Sequence, residues 1–161
     1  MSVPLSLPQG RPLIGVIGAG RASAEGLAAA YEVGRLLAEK GAVLVCGGLG
    51  GVMEAACRGC FEAGGLTVGI LPGADAAAAN PFVVIPVVTA MGHARNVIIA
   101  HTAAALIAVE GEYGTLSEIA VGLKLGRPVV ALASSWEIVP GVTAATTPAE
   151  AVRQALAALA H

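Results

Sequence analysis

A chain of 161 residues with nine basic and eleven acidic side chains carries a formal net charge of −2. Its length predicts one domain with a core that needs neither disulfides nor metal ions. The low, evenly spread charge argues against nucleic acid and against an anionic membrane surface as partners. Three cysteines are too few, and odd in number, for a disulfide framework, which indicates a reducing, cytoplasmic location.

The first twelve residues are interpreted as an N-terminal extension. They lack the basic start and the long apolar run of a secretory signal. Residues 76 to 94 have no formal charge, but Asn80, Pro81, Pro86 and Gly92 interrupt any helix long enough to cross a membrane. We therefore expect no membrane segment.

Short β-branched apolar runs alternate with segments of helical period along the chain. The runs predict strands at residues 13–17, 43–46, 66–71, 83–88, 105–109 and 129–132. Helices are predicted at residues 24–40, 52–63, 93–103 and 115–125, and Thr147, Pro148 and Glu150 mark the start of a last helix. This alternation predicts a single Rossmann-like α/β domain whose mainly parallel sheet is doubly wound, with helices on both faces.

The loops that follow the strands form the candidate site, because such sheets bind ligands at the carboxyl ends of their strands. Residues 18–23 (GAGRAS) and 47–51 (GGLGG) are glycine-rich turns that lead into helices, where free N–H groups favour an anion. The first is equally consistent with a tight turn alone. The second, GGLGG, is harder to explain without a ligand, because several small residues there allow the backbone to approach one, and phosphate is the natural candidate. Ser23 in the sixth position, and a second strand that ends in Cys46 and Gly47 instead of an acidic residue, disfavour a nicotinamide-dependent dehydrogenase.

Charged residues are rare in these loops. Arg21 and Arg95 could each pair with phosphate through the guanidinium fork, although packing or solvation explains a single arginine more simply. Their convergence on one edge of the sheet favours a ligand. Glu118 lies three residues after Thr115, the spacing of a capping box in which the carboxylate bonds to the start of its own helix.

The turn at residues 110–115 (EGEYGT) places two carboxylates, Glu110 and Glu112, where an anion would otherwise bind. If Glu112 points into the site, it repels a phosphate about 4 Å away by up to about 4 kcal/mol before screening. If it points outward, it has no effect. Both orientations fit the sequence.

Three segments resemble the LOG-like superfamily of Rossmann-like proteins, many of whose members were once named lysine decarboxylases. They are CGGLGGVM at 46–53, MGHARN at 91–96 and EGEYGTLSE at 110–118. The resemblance covers residues from about 13 to 132 and is closer to the branch that contains molybdenum cofactor carrier proteins. The enzymes of the superfamily, cytokinin riboside monophosphate phosphoribohydrolases, carry GGGxxGxM, MHxRK and PGGxGTxxE segments. Residues here that match those segments include Arg95, Gly111, Gly114, Thr115 and Glu118, and residues that depart from them are Cys46, Gly92, Asn96, Glu110 and Glu112.

The resemblance implies a binding or carrier protein for a phosphorylated small molecule, a pterin or a nucleotide. Molybdenum cofactor would be the carried ligand, with no resident cofactor or metal required. The alternative is a phosphoribohydrolase that cleaves the N-glycosidic bond of a nucleoside 5′-monophosphate, and not a lysine decarboxylase; Arg95 and Glu118 would then be catalytic. The altered PGG and the lost lysine favour the carrier.

The expected ligand-binding residues come from all four loops. They are Gly18, Gly20, Arg21, Gly47, Gly48, Gly50, Gly51, Arg95, Asn96, Gly111, Gly114 and Thr115. The low charge and the resemblance also imply a homodimer or homotetramer, with contacts through apolar helix faces.

Overall fold

The computed structural model describes residues 11 to 159 and contains one parallel sheet in the order β4–β3–β2–β1–β5–β6–β7. The strands are β1 (Leu13–Gly18), β2 (Val43–Cys46), β3 (Thr67–Leu71), β4 (Ile85–Val88), β5 (Ala105–Val109), β6 (Val129–Leu132) and β7 (Thr143–Ala145). The helices are α1 (Ala24–Glu39), α2 (Val52–Glu62), α3 (Arg95–Thr102), α4 (Tyr113–Lys124) and α5 (Pro148–Ala157), and short 3₁₀ turns lie at Ala76–Ala78, Gly92–Ala94 and Ser135–Ile138.

The strand order reverses between β1 and β5, which pair in parallel like all the other neighbours in the sheet. Helices α1, α2 and α5 cover one face of the sheet, and α3 and α4 cover the other. Every residue of β2, β5 and β6 is buried, which explains their continuous apolar sequences. The predicted doubly wound, Rossmann-like α/β fold is confirmed.

Helices α1 and α2 cross at two glycines that allow their backbones to touch. A Cβ atom on Gly34 would lie 1.9 Å from the carbonyl oxygen of Ala56, and one on Gly59 would lie 2.0 Å from that of Tyr31. Val52 at the start of α2 donates its N–H to the carbonyl oxygen of Ala19 at 2.9 Å. The helix crossing therefore holds the first two glycine loops side by side.

Several element bounds differ from those expected. Strand β7 was not predicted, because three residues of sequence TAA have neither the length nor the β-branched character of the other strands. Helix α3 begins at Arg95 because Gly92–Ala94 forms a 3₁₀ turn, and α4 begins at Tyr113, two residues earlier than expected. Strand β4 begins at Ile85, two residues later than expected.

Strand β4 forms one edge of the sheet, and all four of its side chains are exposed. None of them is charged.

The predicted N-terminal extension lies outside the described residues except for Arg11 and Pro12. Across residues 11 to 159, no helix combines the length and apolar character that a bilayer crossing would need.

Candidate functional site

Strained backbone marks the carboxyl edge of the sheet. Ala90, Glu110 and Ala133 each have φ of +53° and follow β4, β5 and β6. A non-glycine residue in this left-handed region costs on the order of 1 to 3 kcal/mol and is found mostly at functional sites. This edge is therefore the first place to look for a ligand site.

A cleft of about 530 Å³ opens at the same edge, near the strand reversal between β1 and β5. The loops after β1 and β2, the turn before α3 and the first turns of α4 form its walls. Predicted site residues that line the cleft are Gly18, Gly20, Arg21, Gly47, Arg95, Asn96, Gly114, Thr115 and Glu118.

Four predicted glycines do not line the cleft. Gly48 and Gly51 have φ of +77° and +65° and pack against β3 and the first loop, respectively. Gly111, with φ of +107°, packs against Thr115, and Gly50 has open space around its Cα. Gly48, Gly51 and Gly111 therefore determine the backbone conformation of their loops, and other residues face the cleft.

The cleft also contains residues that the sequence did not single out as ligand contacts. His93, which belongs to the MGHARN segment, lies exposed on the cleft wall. Met53 belongs to the quoted glycine segment, so the motif itself could have indicated it. The other residues of this kind are Val16, Ile17 and Ala19, and Glu112, whose orientation the sequence left open, also lines the cleft.

Arg95 is a buried cation with few partners. Its side chain is in a residue only 8% exposed, and its Nη2 donates to the carbonyl oxygen of Gly47 at 3.5 Å. Its Nη1 donates to Oδ1 of Asn96. Within residues 11 to 159, Nε has no hydrogen-bond acceptor and no carboxylate forms an ion pair with the guanidinium. Burial lowers the pKa of Arg95, but an arginine remains charged, so the cleft contains a positive charge without a counterion from the described chain.

The capping-box interpretation of Glu118 is wrong. Because α4 begins at Tyr113, Glu118 is its sixth residue and points into the cleft. It is 7% exposed, and burial raises its pKa to about 8, although the charge of Arg95 acts in the opposite direction. At neutral pH the carboxyl is mainly protonated, and it therefore does not neutralise Arg95.

Glu110 turns away from the cleft and caps α1. Its carboxylate accepts hydrogen bonds from the backbone N–H of Ser23 at 3.1 and 3.2 Å and from the Ser23 hydroxyl at 2.5 Å. The same hydroxyl accepts the N–H of Gly26 at 3.0 Å. The carboxylate thus occupies the positive end of α1, where a dinucleotide fold would place a phosphate.

Glu112, in contrast, lines the cleft. Its residue is exposed and forms the N-cap of α4 without a side-chain capping bond. The two glutamates of the turn therefore have different environments, and of the two only Glu112 lines the cleft.

Cys46, which stands where the enzymes of the superfamily have glycine, packs beneath the second loop. Its Sγ lies 3.4 Å from Sγ of Cys57 and accepts the N–H of Gly48 at 3.3 Å. All three cysteines are free and buried. Among the described residues, no three His, Cys, Asp or Glu side chains gather as a metal site would require.

Comparison with known proteins gives one family and several solved structures. The model of the SLOG cluster4 family matches residues 11–158. An uncharacterised protein of Archaeoglobus fulgidus is 52% identical over 139 residues, which cover 86% of this chain and 91% of that protein.

Two of the similar solved structures are molybdenum cofactor proteins. The molybdenum cofactor binding protein of Rippkaea orientalis has a TM-score of 0.88 and 36% identity, over 92% of this chain and 98% of that one. The molybdenum cofactor carrier protein of Chlamydomonas reinhardtii has a TM-score of 0.86 and 36% identity, over 94% of this chain and 100% of that one.

Proposed function

The chain belongs to the SLOG cluster4 family, and from this membership and the geometry of the cleft we propose that it binds and carries the molybdenum cofactor. That cofactor is a pterin with one terminal phosphate. The observation that carries the proposal is Arg95, a buried guanidinium on the cleft wall whose Nε has no acceptor among the described residues. A phosphate oxygen is the acceptor that this group fits best.

The first turn of α4 supports a phosphate next to Arg95. The leading N–H groups of a helix have no partner within it, and the helix dipole adds positive potential at that end. Gly114 and Thr115 belong to this turn and line the cleft, and the Thr115 hydroxyl adds another donor. We propose that the phosphate lies between these groups and the guanidinium.

Protonated Glu118 makes the same position compatible with an anion. A carboxylate this close to a phosphate would repel it, whereas a neutral carboxyl group can donate a hydrogen bond to it. The raised pKa of about 8 therefore supports anion binding at neutral pH.

Replacing Arg95 by alanine tests the proposal. We expect Arg95→Ala to bind a phosphorylated pterin roughly 10- to 150-fold more weakly, the equivalent of about 1.5 to 3 kcal/mol for a lost charged hydrogen bond. Calorimetry gives the affinity, and elemental analysis after incubation with isolated cofactor gives the molybdenum retained. Arg153→Ala, an exposed arginine on α5, is the matched control. Equal binding by both variants would refute the phosphate site.

Hydrolysis of a nucleoside 5′-monophosphate is the second candidate function, and Glu118 is the observation that favours it. A carboxyl group that is protonated at neutral pH could donate a proton to a leaving base. Incubation with a panel of nucleoside monophosphates should then release free base, and Glu118→Gln should abolish the release. No free base with the unmodified protein excludes this candidate.

We also propose that the protein forms a homodimer or homotetramer, with β4 as one contact in place of the helix faces expected from the sequence. Val84 donates its N–H to the Thr67 carbonyl oxygen at 3.2 Å, so Ile85 and Val87 direct their backbone groups to the open edge. Uncharged apolar residues surround these groups. A second copy about a two-fold axis would match them, because such a contact pairs a surface with itself.

A further inference from the structure

The loops after β5 and β6 are joined by two hydrogen bonds beside the cleft. The hydroxyl of Ser134 donates to the carbonyl oxygen of Glu110 at 2.9 Å, and the indole N–H of Trp136 donates to that of Glu112 at 3.1 Å. Each loop begins with a strained residue, Glu110 or Ala133. The position of Trp136 next to the cleft is therefore fixed by both loops together.

Tyr113 lies against Trp136, and the two residues form what we call the aromatic rim. Their ring centroids are 6.0 Å apart and their planes are inclined at 45°. Tyr113 is 81% exposed, although both of its chain neighbours, Glu112 and Gly114, line the cleft. A large ring held this far into solvent contributes little to the core, which makes it available to a ligand that extends from the cleft.

We propose that the aromatic rim stacks against the pterin ring of the ligand while the carboxylate of Glu112 accepts hydrogen bonds from the amino edge of that ring. This inference rests on the proposed function, since it assumes a phosphate beside Arg95 at the inner end of the same ligand. It assigns the phosphate end of the ligand to Arg95 and the first turn of α4, and the ring end to Glu112 and the aromatic rim.

The chemistry of a pterin fits both parts of this site. Its pyrimidinone ring is planar and stacks on tyrosine and tryptophan as a nucleobase does. Its 2-amino group and ring N3–H are adjacent donors, which match the two oxygens of one carboxylate. Adenine presents one donor next to an acceptor nitrogen and cannot make this pair. Glu112, which would repel a phosphate close to it, is therefore suited to the ring end.

Affinity measurements on four variants test the aromatic rim and Glu112 separately. The ligands are a phosphorylated pterin, AMP and ribose 5-phosphate, which has the phosphate but no aromatic ring. We expect Tyr113→Ala to weaken the phosphorylated pterin about 5- to 100-fold and to leave ribose 5-phosphate unchanged, as for a lost stacking contact. Tyr113→Phe is the matched control and should bind all three ligands like the unmodified protein.

The second part of the test uses Glu112→Gly and Arg95→Ala. Removing the carboxylate should weaken the phosphorylated pterin, because only the pterin offers the paired donors. The same change should strengthen AMP, because the acceptor nitrogen of adenine no longer faces a carboxylate. Arg95→Ala should weaken all three ligands. Because Trp136 is the chain's one tryptophan, its fluorescence should change with the phosphorylated pterin and not with ribose 5-phosphate.

Each remaining outcome overturns part or all of this inference. If Arg95→Ala weakens the phosphorylated pterin but Tyr113→Ala does not, the rim is wrong and the proposed function stands. If Tyr113→Ala changes only the sedimentation coefficient, the rim is a contact between copies and the inference is wrong. If the unmodified protein binds none of the three ligands, the proposed function and the rim fail together.

Discussion

At the residue scale, Glu118 combines an ordinary sequence position with an unusual environment. It lies in the middle of an amphipathic helix, where most glutamates face water, yet it is buried beside Arg95. The folded chain holds the Glu118 proton at pH values where the unfolded chain has lost it. The contribution of Glu118 to stability therefore falls as pH rises from about 4.5 to about 8, and it stays low above that range.

We expect Glu118→Gln to stabilise the protein at pH 9 by roughly 3 to 5 kcal/mol, at about 1.4 kcal/mol per pKa unit, and to have little effect at pH 4. Glutamine keeps the size of the side chain and removes the charge that burial penalises. Urea unfolding at both pH values measures the difference. Glu137→Gln, at an exposed glutamate, should change stability at neither pH, and a gain for Glu118→Gln that does not depend on pH would contradict the explanation.

The sequence indicated Glu118 and Arg95 through spacing and resemblance, but it could not indicate their protonation. Spacing from Thr115 predicted a capping role, because a helix start is uncertain by a residue or two when several residues could begin it. A shift of two residues moved the carboxylate from the helix end to the cleft. The burial that raises the pKa of Glu118 is provided by residues distant along the chain, which local spacing does not reveal.

At the element scale, the α1–α2 crossing determines the position of the first two loops. Gly34→Ala should destabilise the protein by about 2 kcal/mol or more, because the new methyl group overlaps the Ala56 carbonyl and outweighs the better helix propensity of alanine. Chemical denaturation measures this change. Gly114→Ala is the matched control: it has no atom within 4 Å of the added carbon and should leave stability within about 1 kcal/mol. Similar effects of the two substitutions would show that the crossing tolerates a wider separation.

Long, buried or capped elements were predictable, and short or peripheral ones were not. Strands β2, β5 and β6 are buried on both faces, so their apolar runs were sufficient evidence. Thr147 caps α5 by accepting the N–H of Glu150 at 3.1 Å, as its sequence predicted. Strand β7 has three residues and depends on pairing with β6, which is a tertiary effect without a local pattern.

At the scale of the whole molecule, strand β4 makes self-association testable. Val87→Lys should increase the fraction of monomer, because a lysine on an edge strand opposes pairing with an identical edge. Sedimentation velocity at micromolar concentration measures the populations. Val97→Lys, at an exposed valine on α3, is the matched control and should leave the assembly unchanged. A monomeric unmodified protein would contradict the proposal.

The site was predictable as a set of loops, because parallel strands bring their carboxyl ends to one edge. The direction of each side chain within that set was not. Glu110 and Glu112 are two residues apart, and the first bonds to Ser23 while the second lines the cleft. The difference arises from the left-handed backbone at Glu110 and from the contact with a loop 87 residues earlier.

The Glu110 carboxylate, held by its bonds to Ser23, competes with free anions for the start of α1. A carboxylate tethered by the fold has an effective concentration on the order of millimolar or higher, which a free ligand must exceed to displace it. Phosphorylated metabolites below that concentration therefore do not displace the carboxylate from the start of α1. The helix dipole of α1 thus stabilises the folded chain by its interaction with Glu110. The cleft at the start of α4 then selects its ligand without a competing anion site at the start of α1.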